Sequence, residues 1–155
     1  MRREDREVKG IGEIFDILNR CTTLSLGMTD KDGRPYVIPM TFGCEKDGET
    51  ITVYLHSAVG GHKWEILIGE PTVCVEAHLY YQVEKVEGGL TARYESVIGT
   101  GRARRLTETA DKIAGLRAMT AHYKNSGFPV SACESLPKTE VFRIRLTEVT
   151  GKRNL

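Results

Sequence analysis

The sequence predicts a mainly β, antiparallel domain with helices packed outside it. Three observations predict this. Apolar residues alternate through several stretches rich in β-branched side chains, turn dipeptides join those stretches as hairpins, and few segments carry a helical period. Strands that arrive as hairpins rather than as strand–helix–strand units point to an antiparallel sheet, closed into a small barrel. The 155 residues suit one domain, 1–155, and no linker, repeat or low-complexity segment divides them.

The elements follow in chain order, about six strands and three helices in all. Arg2 to Lys9 alternates in charge, as a solvated helix start does, and Val8, Ile11, Ile14, Phe15 and Leu18 fall at helical spacing. A helix is therefore expected within Glu4 to Arg20. Leu24, Leu26 and Met28 alternate as a strand, Asp32-Gly33 signals a hairpin turn, and Tyr36 to Phe42 is the return strand. Pro39 inside that strand cannot donate a ladder bond, which marks an edge, a bulge, or a place where something other than a strand meets the backbone. Asp47-Gly48 is a second turn and Ile51 to Leu55 a third strand. Trp64, Leu67 and Ile68 share a helical face that Gly69 ends. Thr72 to Val86 and Thr91 to Leu106 are long strands joined at Gly88-Gly89, the second with a kink expected at Gly99 or Gly101. Thr107 is the expected cap of a helix from about Glu108 to Tyr123, with Ile113, Leu116, Met119 and Thr120 facing inward. Thr139 to Val149 alternates as the last strand.

Composition excludes several function classes. A net charge of +1 provides no broad field for nucleic acid or an anionic membrane. No apolar run approaches the ~20 residues that cross a bilayer, and the charged start MRREDREVKG is unlike a signal peptide, so a cytoplasmic protein is expected. Cys21, Cys44, Cys74 and Cys133 are widely spaced and form no CxxC pair, so no metal site is expected. The basic cluster Gly101 to Arg105 suits a solvated strand end better than a nucleic-acid contact.

The chemistry concentrates in Val53 to Leu67, VYLHSAVGGHKWEIL. A strand delivers His56 and Ser57 at its end, Gly60 and Gly61 follow, and His62 and Lys63 open a helix. Glycines let backbone N–H groups approach an anion, a helix start presents unpaired N–H groups, and the lysine adds a full charge. A phosphate site and a plain glycine-rich turn with solvated side chains both fit these residues. Arg34 to Gly43, with its internal proline, suits either an edge strand or a backbone platform for a flat heterocycle. No residue stands out as a catalytic acid, base or nucleophile.

Those two segments in this order, followed by EPTVCVEA, YESVIGTGRARRL and the ending VFRIRLTEVTGK, resemble the FMN-binding split-barrel family related to pyridoxamine 5′-phosphate oxidase, nearest to its nitroimidazole-resistance proteins. The resemblance spans roughly Ile14 to Lys152, and its most specific part is the H-S-A-x-x-G-H-K stretch. It implies a six-stranded antiparallel Greek-key split β-barrel that forms a homodimer with FMN at the interface. It also implies an oxidoreductase that passes electrons to a small acceptor, or a non-catalytic module of the same fold holding flavin, haem or deazaflavin. Val37, Ile38, Pro39 and Met40 are the implied isoalloxazine contacts, His56, Ser57, His62 and Lys63 the phosphate contacts, and Ser96 a further flavin neighbour. From Val141 onward the chain has Arg143, Arg145 and Arg153 but no histidine, unlike the oxidase proper, which holds its substrate's phosphate there partly with one.

Overall fold

The computed structural model describes residues 3–155; Arg2 lies outside them. The strands are β1 (Glu7–Val8), β2 (Leu24–Thr29), β3 (Pro35–Met40), β4 (Gly43–Asp47), β5 (Thr50–Ala58), β6 (Thr72–Val86), β7 (Gly89–Leu106) and β8 (Thr139–Asn154). The helices are α1 (Ile11–Arg20), α2 (His62–Leu67) and α3 (Thr109–His122). The six anticipated strands are β2, β3, β5, β6, β7 and β8. The two additions are short. The expected return strand stops at Met40 and resumes as β4, and Glu7–Val8 leaves the helical pattern to pair with Lys152 and Gly151 of β8.

All strand pairs are antiparallel, in the order β3-β2-β6-β7-β8-β5-β4, with β1 beside β8. Strands β6, β7 and β8 are sequential neighbours while β5 returns beside β8, which is a Greek key. The expected closure is not made by hydrogen bonds: β3 and β4, at the two ends of the path, do not pair. Only Thr41 and Phe42 separate them, so the ends of the sheet lie within ~11 Å, three Cα–Cα steps. The sheet is thus curled round and split at the point where β3 hands over to β4.

Alternation fills the interior. Leu26, Val53, Val75, Phe142 and Ile144 are buried on the inward faces, and α1 adds Ile14, Ile17 and Leu18. Each such side chain contributes about 1.5–3 kcal/mol on burial. The anticipated kink lies between Thr100 and Gly101, where β8 carries an extra residue against β7. A Cβ on Gly101 would overlap the Arg145 carbonyl, so the close approach of the two strands requires glycine there. Helix α3 begins one residue later than expected. Glu108, not Thr107, occupies the cap position, and no side chain caps the helix. Its seam is formed by small residues, Gly115 and Ala118, with Met119, while Ile113, Leu116 and Thr120 are only half-buried.

Two carboxylates, Glu95 and Glu140, lie deep in this frame. Glu95 of β7 is 2% exposed and accepts from Arg20 at 2.6 Å, Tyr81 at 2.6 Å and Arg153 at 2.7 Å. It ties α1, β6 and β8 to β7. The basic cluster of β7 is also engaged within the chain: Arg102 and Arg104 bond Glu70, and Arg105 holds the buried Glu140 with two hydrogen bonds.

Candidate functional site

Among the described residues strand β3 pairs only with β2, so it is an edge strand, which explains how it carries Pro39. Its burial alternates: Tyr36, Ile38 and Met40 turn inward, Val37 and Pro39 outward. On β5 the pleat sends His56 outward and Ser57 inward. Beyond β5, Gly60 and Gly61 take φ of +93° and +84°, and neither would meet an atom within 4 Å if it carried a Cβ. The loop therefore turns sharply under open space, then enters α2.

Two contacts join this loop to β3. Lys63 Nζ lies 3.5 Å from Met40 Sδ. The His62 ring packs edge-on against Tyr36, centroids 4.7 Å apart at 77°. The two segments singled out in the sequence are therefore one place in the fold, and Tyr36, which has no signal beyond its strand position, belongs to it.

The electrostatics of the site are set by burial. Lys63 is half-buried, and burial lowers its pKa. His56 keeps an open edge, yet the surrounding protein lowers its pKa, and the charge of Lys63 adds to that. Among the described residues neither side chain has a carboxylate partner, and the only hydrogen-bond acceptor of Lys63 is a thioether, a weak one. The buried indole N–H of the next residue, Trp64, has no acceptor among the described residues. Adjacent donors without oxygen acceptors, just after two glycines with open space about them, fit a ligand that brings an anionic oxygen cluster such as a phosphate. Helix α2 has six residues, so the charge of Lys63 outweighs its small dipole.

Two sequence-derived site residues stand apart. Ser57 is buried, and its hydroxyl donates to the Ala58 carbonyl at 2.8 Å rather than toward the loop. Ser96, on β7, pairs with His78 and Lys152 and is separated from β3 by two intervening strands, β2 and β6. Following the cross-strand pairs Val37–Gly27–Cys74–Thr100, Ser96 nevertheless lies on the same outward face of the sheet as Val37 and Pro39. Thr41, just past β3, and His56 also share the wall of a large cleft that runs beneath α3 and the segment after it. Nothing in the sequence marks that cleft, because an irregular segment forms much of it.

Comparison with solved structures places this architecture among relatives. A Bacteroides thetaiotaomicron protein with a provisional assignment as a 5-nitroimidazole antibiotic resistance protein superposes with a TM-score of 0.81 at 28% identity, covering 94% of this chain and 85% of that one. The flavocytochrome Anf3 of Azotobacter vinelandii superposes with a TM-score of 0.83 at 21% identity, over 100% of this chain and 72% of its own. An FAD- and haem-binding protein of Mycobacterium smegmatis does so with a TM-score of 0.83 at 17% identity, over 96% and 73%. Among curated protein sequences there is no match. The pyridoxamine 5′-phosphate oxidase family model matches residues 11–153, from the first turn of α1 to the end of β8. With the split Greek-key barrel and nearly the whole sequence in agreement, the chain belongs to the pyridoxamine 5′-phosphate oxidase family.

Proposed function

We propose that the chain binds FMN and is an oxidoreductase that passes electrons from the reduced flavin to a small acceptor, such as a nitroaromatic. The observation that carries this reading is the junction of β3 with the β5–α2 loop through Lys63–Met40 and His62–Tyr36. It lays a lysine and a histidine along an edge strand, Lys63 at its last residue and His62 beside its second, and that strand pairs with β2 alone among the described residues. Lys63, with His62 and His56, holds the phosphate, and Ser57 joins them if its hydroxyl rotates away from Ala58. Val37, Ile38, Pro39 and Met40 form the platform for the ring. When bound, FMN supplies the redox chemistry, and the protein supplies position and charge. Structural relatives described as a flavocytochrome and as an FAD- and haem-binding protein support a redox cofactor in this fold.

The working unit proposed is a homodimer with the cofactor at its interface. Val37, Tyr80, Val83, Leu90 and Ile98 are all exposed, with Leu90 at 75% and Val37 at 64%. The strand register puts every one of them on the same outward face, after allowance for the bulge at Tyr81. A face that apolar calls for a cover, and a second copy related by a two-fold axis provides an identical one. That arrangement gives Ser96 its role, since Ser96 lies on this face and serves the site of the opposite copy.

Titration with FMN, FAD and haem in turn, followed by turnover with a nicotinamide reductant, tests the reading. Selective FMN binding with acceptor reduction is the expected result. Haem binding without flavin binding would contradict it and favour the non-catalytic module, the reading that the haem-binding relatives also support.

A further inference from the structure

The cleft that His56 and Thr41 share has a volume of about 1010 Å³. Leu116, Met119, Phe128, Val130 and Leu136, from α3 and the segment that leads to β8, give its wall an apolar face. Among the described residues that line it there is no carboxylate, and Lys124 is the one full charge. Its size is that of a site for a small organic ligand. We infer that this cleft is a second binding site beside the β3–α2 junction, one that seats an apolar aromatic compound carrying at most one negative charge.

The lining selects that class. A thioether, a phenyl ring half-exposed at Phe128 and the phenol of Tyr123 favour an aromatic body. A cationic ligand finds no counter-charge, whereas an acid group finds Lys124. His56 has its charged form disfavoured, so it offers a neutral ring to the ligand's polar edge. That such a ligand serves as the electron acceptor rests on the flavin reading; its binding here does not.

Cys133 lines the same cleft and reports on it. Its Sγ is 3.1 Å from Ser135 Oγ, the residue is half-buried in the cleft wall within reach of an alkylating reagent, and hydrogen bonding from Ser135 lowers its pKa and favours the reactive thiolate. The test is the rate of iodoacetamide labelling at Cys133 in the full chain, followed by peptide mass spectrometry. The probes are 2-naphthoate and its cationic counterpart 2-(aminomethyl)naphthalene. The expected result is saturable protection of Cys133 by naphthoate, no effect at Cys74, and none from the amine. Lys124→Glu and, separately, Phe128→Ala are expected to weaken the naphthoate protection about tenfold, or 1.4 kcal/mol, with the circular dichroism of each unchanged. No protection, equal protection of Cys74, equal protection by the amine, or protection that survives both variants would overturn the inference. Equal protection by FMN would also overturn it, by making the cleft the seat of the flavin itself while leaving the flavin reading intact. Failure of FMN to bind anywhere would remove the flavin reading and leave the naphthoate result standing.

Discussion

Lys63 and Met40, 23 residues apart in sequence, meet with Nζ 3.5 Å from Sδ. A thioether is a poor acceptor for an ammonium group, so the contact positions the lysine without satisfying it. Burial lowers the pKa of this lysine, which makes an anionic ligand the natural completion of the site.

Lys63→Ala is expected to weaken FMN binding roughly 10- to 100-fold, because hydrogen bonds to a charged group contribute about 1.5–3 kcal/mol. Lys63→Arg keeps the charge and is expected to retain most of the affinity. Fluorescence titration of FMN checks both, and equal loss in the two variants would show that shape rather than charge holds the ligand.

Glu95 governs acid stability. Burial alone favours its neutral form, but hydrogen bonds from Tyr81, Arg20 and Arg153 outweigh this and hold its pKa below the ordinary 4.5. A carboxylate with a lowered folded-state pKa stabilises the fold fully above the unfolded value. It loses that contribution as pH falls through the folded one. Glu140, held by Arg105, has the same sign. Melting temperature is therefore expected to be insensitive to Glu95 between neutrality and about pH 5, and to fall below that. Glu95→Gln is expected to cost about 3 kcal/mol at pH 7 and to flatten the acid slope. Thermal melts at a series of pH values decide it.

Gly101→Ala places a methyl group on the Arg145 carbonyl. The strand pair must shift to admit it, at a cost of about 1–3 kcal/mol, measurable as a lower urea midpoint with unchanged m-value.

The outward face predicts its own disruption. Ile98→Glu puts a charge at the centre of the apolar patch formed with Val37 and Tyr80. Light scattering is expected to show a monomer for this variant and a dimer for the parent. A dimer in both would place the interface elsewhere.

The thiols sort by environment. Burial pushes Cys21 up to about 11 and Cys44 up to about 12, whereas Ser135 lowers Cys133. Iodoacetamide at pH 8 is expected to label Cys133 first and to leave Cys21 and Cys44 unmodified until the protein unfolds.

Much of the fold was legible in the sequence because its signals are local. Period-2 alternation located β2 and β8, β-rich runs located β5, β6 and β7, and the turn dipeptides Asp32-Gly33, Asp47-Gly48 and Gly88-Gly89 located the hairpins. The misses are tertiary in origin. Val8 has the spacing of a helical residue but is captured by Gly151 of β8. The break at Thr41-Phe42, which splits the barrel, has no punctuation by glycine or proline of its own. Thr107 is a good cap by composition, yet it lies one residue too early for the helix that packs on β4. In the site, the loop glycines with His62 and Lys63 were legible as a turn that suits either an anion or plain solvation, and the sequence left the two open. The inward turn of Ser57 follows only from the pleat of β5, and the partnership of Tyr36 with His62 only from the curl of the sheet.

The most direct test of the central claim is the visible absorption spectrum of the purified protein after incubation with FMN and desalting, beside that of Lys63→Ala. Flavin bands retained by the parent and lost from the variant are the predicted result. Bands absent from both, or equally strong in both, would contradict the assignment of the β3–α2 junction as the FMN phosphate site.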